Sequence, residues 1–171
     1  MPTTYVAIAT VTVGSGGASS ISFSSIPNTF TDLAVLASVR GSRSAAVDFL
    51  QIKFNGSTSS YSMRMLYVSG SSGASSTDTA IYVPVSGANA TSSTFGNASF
   101  YIPNYTSSNN KSVSSDAVQE NNDSSLWQMY LAAGLWSNSS AITSLELAPL
   151  SGYGPNLLQY STATLYGIKS S

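Results

Sequence analysis

The feature that most constrains this chain is an apolar/polar alternation of period two, cut at short intervals by turn signals. Phe49–Phe54 shows it most cleanly: Leu50, Ile52 and Phe54 fall on one face, and Gln51 and Lys53 on the other. Successive side chains of a strand point to opposite sides, so such a segment reads as a half-buried β-strand. Asn55-Gly56 follows at once, and Asn-Gly is the strongest short hairpin-turn signal. The return strand is Tyr61–Val68, with Tyr61, Met63, Met65 and Tyr67 on one face and Arg64 on the other.

The same grammar extends along the chain. Tyr5–Val13 is rich in β-branched residues and ends at a Gly/Ser turn; Ser20–Ser24 puts Ile21 and Phe23 on one face; Ile26-Pro27-Asn28 is a corner, because Pro offers no ladder donor. Asp32–Arg40 places Leu33, Val35, Ala37 and Val39 together, while its other face (Ala34, Leu36, Ser38) is also largely apolar. Ser69–Thr77 reads as a Gly/Ser loop. Ala80–Val85 reads as a strand that Pro84 assigns to an edge or a strand end, Phe95–Ile102 as another, and Val113–Glu120 as a weak polar edge strand. Leu126–Trp136, Ile142–Leu147 and Gln159–Ile168 complete about ten strands. No segment has the caps and apolar stripe of a helix, although Ser44–Leu50 has room for one turn at its start. Many short antiparallel strands joined by Gly/Ser/Asn turns predict an all-β, jelly-roll-like antiparallel β-sandwich, a single domain over residues 1–171. No repeat of solenoid or propeller length is present.

Composition narrows the chemistry. The chain contains no His and no Cys, and six Lys+Arg oppose seven Asp+Glu for a net charge of −1. A His-dependent triad, a Cys nucleophile, an imidazole or thiolate metal site and a disulfide framework are therefore excluded. Six scattered cations form no polybasic patch, so neither nucleic acid nor a membrane surface is expected as a partner. Charged residues are only 8% of the chain, whereas Ser, Thr and Asn supply 63 of its 171 residues and aromatics 11%. Disordered segments combine few aromatics with high net charge; this chain is the opposite case, a neutral β-protein surface over an aromatic core. Met1–Thr10 lacks the basic and apolar regions of a secretory signal, and Leu126–Trp136 is too short to span a bilayer.

Candidate sites each carry two readings. Among the carboxylates, Asp32, Asp48 and Asp78 lie beside strand ends or in loops, where Asp is a common turn residue, although a glycosidase-type pair is the catalytic alternative. Asp116, Glu120 and Asp123, with Asn121 and Asn122, could supply oxygen ligands for Ca²⁺, but EF-hand spacing is absent and a solvated edge strand explains them as well. Arg40 and Arg43 bracket Gly41-Ser42: they either anchor a carboxylate of a neighbouring subunit or pair locally with Asp48 or Asp32. The Tyr61, Met63, Met65, Tyr67 stripe is either a subunit interface or the inner face of the sandwich. Trp127 and Trp136 are either sugar platforms or core fillers. Asn-X-Ser/Thr sequons at Asn55, Asn89, Asn97, Asn104, Asn110, Asn122 and Asn138 follow from composition alone. No phosphate loop and no nucleophile elbow occurs. No catalytic residue, cofactor or metal is expected.

Several stretches together resemble a family of small structural proteins from tailed bacteriophages: IPNTFTDLAVLASVR (26–40), IKFNGSTSSYSMRMLY (52–67), IPNY (102–105), AITSLELAP (141–149) and QYSTATLYGIK (159–169). The resemblance covers most of the chain and is carried by the combination rather than by any single piece. It is similar to virion decoration (cement) proteins and to tail-fibre or spike modules. It implies a β-sandwich on the phage surface, often trimeric, with no catalytic residues.

Two roles follow as expectations. The first is a capsid decoration protein, a homotrimer bound to the major capsid protein or other virion proteins, made in the host cytoplasm and carried on the virion surface. The second is a tail-fibre or spike module that recognises host glycan. Predicted strands running from Tyr5 to Ile168 leave no shaft, which favours decoration. Recognition is expected in loops and termini: Met1–Thr4, Arg40–Ser44, Ser69–Thr77 and Ser151–Asn156. The ends are expected to be tied down against a neighbour. Apolar residues on both faces of Asp32–Arg40 and Leu126–Trp136 predict oligomerisation, since a lone sandwich needs only one inner face per sheet.

Overall fold

The computed structural model of the protein describes residues 4–122 and 126–169. Twelve strands and no helix occur among them. In chain order they are β1 (Tyr5–Thr12), β2 (Ile21–Phe23), β3 (Asp32–Val39), β4 (Val47–Phe54), β5 (Tyr61–Ser69), β6 (Ser72–Asp78), β7 (Ile81–Ser86), β8 (Gly96–Ile102), β9 (Lys111–Gln119), β10 (Gln128–Trp136), β11 (Leu145–Pro149) and β12 (Thr162–Ile168). They form an eight-stranded sheet, β1-β12-β3-β8-β9-β10-β5-β6, and a four-stranded sheet, β2-β11-β4-β7.

Eight of these strands carry the jelly-roll pattern. β1 pairs with β12 and β3 with β8 in the large sheet; β2 pairs with β11 and β4 with β7 in the small one, all antiparallel. The pairs are nested in sequence like the two arms of one long hairpin, rolled so that successive pairs alternate between sheets. The β5–β6 hairpin and the β9–β10 pair are insertions that widen the larger sheet by four strands. The all-β antiparallel sandwich expected from the sequence is the fold observed.

Alternation places the core. Leu33, Val35, Val39, Leu50, Ile52, Phe54, Ile81, Val83, Phe100, Ile102, Leu147 and Leu165 are fully buried between the sheets, each worth about 1.5–3 kcal/mol of transfer free energy. Trp136 sits against Phe54 and Tyr61, with ring centroids 5.6 and 6.2 Å away; it is a core filler. Tyr61, Met63 and Met65 are buried in the same core and Tyr67 packs half-buried against it, so of the two readings of that stripe the inner face is the one observed. β10 approaches β7 closely at Gly134, where a Cβ would lie 2.6 Å from Ile81 Cδ1.

Three expectations need correction. Val113–Glu120 is not an edge strand: β9 lies between β8 and β10. Its inner face buries Lys111, Ser115 and Gln119 beside Val113 and Ala117, so its polarity misleads about its position. Ser72–Asp78 is a strand, β6, held by backbone pairing to β5 and otherwise solvated. The last two strands start later than expected, at Leu145 and Thr162. Pro84 does sit in an edge strand, because β7 pairs only with β4. The Asn55-Gly56 turn takes the left-handed backbone that its residues suit, φ 50° and 68°.

Candidate functional site

The Arg40–Ser44 segment leaves β3 at the end of the sandwich. Arg40 does not pair with a carboxylate. Its side chain is buried, 8% exposed, and its guanidinium is caged by four backbone carbonyls of the β7–β8 connection. Nη1 donates to Thr91 O at 2.7 Å and Thr94 O at 3.0 Å. Nη2 donates to Ala88 O at 3.0 Å and Ala90 O at 2.8 Å. Five fixed donors in one plane suit a ring of carbonyls, and desolvation pulls the group below its ordinary pKa. Arg40 therefore ties the 87–95 loop to β3, and both sequence readings of it give way to an intramolecular clamp.

Arg43 is also local. It donates to Val47 O at 3.1 Å, and its guanidinium lies 4.5 Å from the Tyr153 ring centroid. Asp48 meets Arg43 through the backbone: its buried carboxylate accepts from the N–H groups of Arg43 (3.1 Å), Phe49 (2.8 Å) and Gly154 (3.4 Å). One buried anion thus joins the loop after β3 to the loop after β11, which brings together the Arg40–Ser44 and Ser151–Asn156 segments singled out from the sequence.

The other carboxylates have separate partners. Asp32 accepts from Tyr101 Oη (2.7 Å) and the Asn104 N–H (2.9 Å). Asp78 accepts from two backbone N–H groups and from Tyr82 Oη at 3.1 Å. Asp116 takes the Ser99 hydroxyl, Glu120 the Asn122 N–H, and Glu146 lies 3.5 Å from Lys53. Asp116 and Glu120 do not converge as a calcium site would require: they are four residues apart along extended chain, about 13 Å. Asp123, the third member of that cluster, lies outside the described residues, as does Met1–Thr3 of the N-terminal candidate segment. No group of three His, Cys, Asp or Glu able to hold a metal occurs among the described residues.

A tyrosine cluster fills the space where β7 crosses the widened sheet. Phe49, Tyr82, Tyr130 and Tyr67 stand in series, with centroids 5.4 Å apart for Phe49–Tyr82, 6.4 Å for Tyr82–Tyr130 and 5.4 Å for Tyr67–Tyr130. Burial, then the charge of Asp78, pushes the Tyr82 phenol far above its ordinary value; burial beside Tyr67 and Tyr153 pushes Tyr130 up to about 12. These phenols are held neutral, as core groups rather than acids or bases.

The outer face of the large sheet is different. Cross-strand registers align Leu66, Leu131 and Asp116 in one row, and Val68, Met129 and Val118 in the next. Leu66 is 62% and Leu131 63% exposed, with Met129 and Val118 near half. Directly opposed side chains lie about 4.5–5.5 Å apart, so these five apolar residues form one continuous patch across β5, β10 and β9. Two shallow grooves of about 740 and 640 Å³ run over it. Leu36 on β3 and Tyr101 on β8 continue the exposed apolar character beyond Asp116 and Ser99. The sequence pointed to apolar residues on both faces of Leu126–Trp136 but did not single out Leu66 or Val118, because one outward leucine on a strand is ordinary and only the register shows that they adjoin. Trp127 is half-buried at the foot of β10. No protein-family model matches the chain, and no curated protein or solved structure matches it.

Proposed function

We propose that this chain is a structural, non-catalytic protein of a tailed-phage virion: a decoration protein that forms a homotrimer and binds the outer shell. The observation that carries a binding role is the patch of Leu66, Val68, Val118, Met129 and Leu131 on the outer face of the large sheet. Contiguous exposed apolar area rimmed by polar residues marks an interaction surface, and a neighbouring copy is the partner proposed to cover it. The phage setting rests on the resemblance of the quoted sequence stretches. The absence of catalysis is supported by the carboxylates, each of which, among those described, is tied to a local hydrogen-bond or ion-pair partner.

A closed three-fold ring uses head-to-tail contacts, so the patch of one copy meets a different surface of the next. The test is multi-angle light scattering at micromolar concentration. The expected mass is three times the 17.7 kDa protomer, falling to a single protomer when Leu66→Lys and Leu131→Lys are combined. A monomeric wild-type chain, or a trimer indifferent to both lysines, would overturn the assignment of this face.

A further inference from the structure

Tyr160 is the most exposed large apolar side chain among the described residues, at 68%, and its backbone is left-handed, φ 69°. A bulky L-residue avoids this region because its Cβ crowds the backbone. The turn that holds it is nonetheless locked. The Tyr160 N–H donates to Val13 O at 3.0 Å, the Ser161 N–H to Leu158 O at 3.1 Å, and the Leu158 N–H to Arg40 O at 2.8 Å. The buried Ser161 hydroxyl donates to Arg40 O at 3.2 Å and accepts the Arg40 N–H at 3.1 Å. A large aromatic ring is thus presented to solvent from a rigid, disfavoured backbone that its own packing does not require. Strained residues that the surroundings over-determine collect at functional sites.

Tyr160 borders a shallow groove of about 440 Å³ where four loops meet, within the range of ligand pockets, about 300–1,000 Å³. The groove is lined by Ser15, Ser42, Ser93, Asn156 and Gln159, and the Ser42 hydroxyl within it accepts the Asn156 N–H at 3.0 Å. The two carboxamides make no hydrogen bond with described residues and are available to a ligand. The charged residue that lines the groove, Arg40, has its guanidinium turned into the Ala88–Thr94 carbonyls, so the groove offers no cation to an anionic ligand. Neutral donors and acceptors beside a phenol ring suit an uncharged molecule with many hydroxyls and a flat C–H face.

We infer that this loop end is a binding site for a neutral saccharide, with Tyr160 stacking on a pyranose ring and Asn156 and Gln159 bonding its hydroxyls. The site shares no residue with the Leu66–Leu131 patch and does not rest on the decoration reading.

The test is an NMR titration of the ¹⁵N-labelled full chain with methyl glycosides of glucose, galactose, mannose and N-acetylglucosamine, and with maltotriose and chitotriose. At least one of these saccharides shifts the amides of Ser15–Gly17 and Asn156–Ser161 while leaving those of Leu66 and Leu131 in place. Tyr160→Gly weakens that binding about tenfold or more, the scale of one lost aromatic contact, yet leaves the thermal midpoint unchanged or higher because glycine tolerates the positive φ. Gln159→Ala weakens binding independently. No binding across the panel, shifts elsewhere on the molecule, or unchanged affinity in Tyr160→Gly would each overturn the site.

Discussion

Replacing Arg40 by Met keeps the length of the side chain and removes every donor from the carbonyl cage. Four acceptors lose the guanidinium: Thr94 O, Ala88 O, Ala90 O and Thr91 O, the last of which keeps the Thr94 N–H at 3.2 Å and the Thr94 hydroxyl at 2.8 Å. A hydrogen bond from a charged donor contributes about 1.5–3 kcal/mol, so a literal sum would approach the whole stability of a domain, about 5–15 kcal/mol. That sum is too large, because Ala88 and Thr91 lie on exposed loop and their carbonyls can turn to water, whereas Ala90 is buried. One orphaned carbonyl, two partly rehydrated ones and one that keeps its Thr94 donors leave a loss of about 3–5 kcal/mol, the scale of breaking a buried charged contact. Urea unfolding followed through the buried Trp136 reads this loss directly. Hydrogen exchange on residues 87–95 reads the release of the loop. Arg40→Lys, with three donors on one nitrogen, should recover part of the stability. A loss under about 1 kcal/mol for Arg40→Met, with 87–95 protected as in the wild type, would refute the clamp; that is the level expected of an exposed pair.

Other outcomes follow from the same structure. Arg43→Ala removes one carbonyl contact and the stacking on Tyr153, and should cost about 1 kcal/mol in the same assay; a loss as large as that of Arg40→Met would contradict its local role. Tyr82 and Tyr130 have folded pKa values above the unfolded value of about 10. Their neutral forms stabilise the fold fully below pH 10, and this is lost as pH rises through 10 toward 12. Urea midpoints measured from pH 8 to 12 should therefore fall above pH 10, less steeply in Tyr82→Phe; a flat profile would show that these phenols are not buried as described. Gly134→Ala places a methyl against Ile81 and should destabilise by about 1–3 kcal/mol through overpacking; an unchanged thermal midpoint would mean that β7 and β10 are farther apart.

What the sequence disclosed depended on whether the relevant signal was local. β4 and its Asn55-Gly56 turn were legible because alternation and turn chemistry lie in adjacent residues. β6 was not, because Ser72–Asp78 has no apolar face and is a strand only through its backbone ladder to β5. β9 looked like an edge because burial of Lys111, Ser115 and Gln119 is a property of their neighbours: Lys111 Nζ donates to Ser107 O at 2.8 Å. Arg40 illustrates the same limit. Its nearest carboxylates in sequence suggested an ion pair, whereas its partners are carbonyls about fifty residues downstream. Tyr160 carried no signal: the sequence placed it inside the Gln159–Ile168 strand, where a tyrosine is ordinary, whereas it sits in a left-handed turn before β12. The outer patch lay between these cases: the two-sided apolar pattern of β10 was visible, but the adjacency of Leu66, Leu131 and Val118 follows from strand order alone.

The most direct test of the proposed decoration role is occupancy of the purified chain on tailed-phage shells that lack it, quantified by cryo-electron microscopy. The decoration role predicts three-fold clusters of the wild-type chain at fixed shell positions, with the Leu66–Leu131 face of each copy covered by its neighbour. It also predicts loss of those clusters in the Leu66→Lys/Leu131→Lys variant. Isolated single copies on the shell with that face open to solvent, or a chain that leaves shells bare and binds host cells instead, would contradict it.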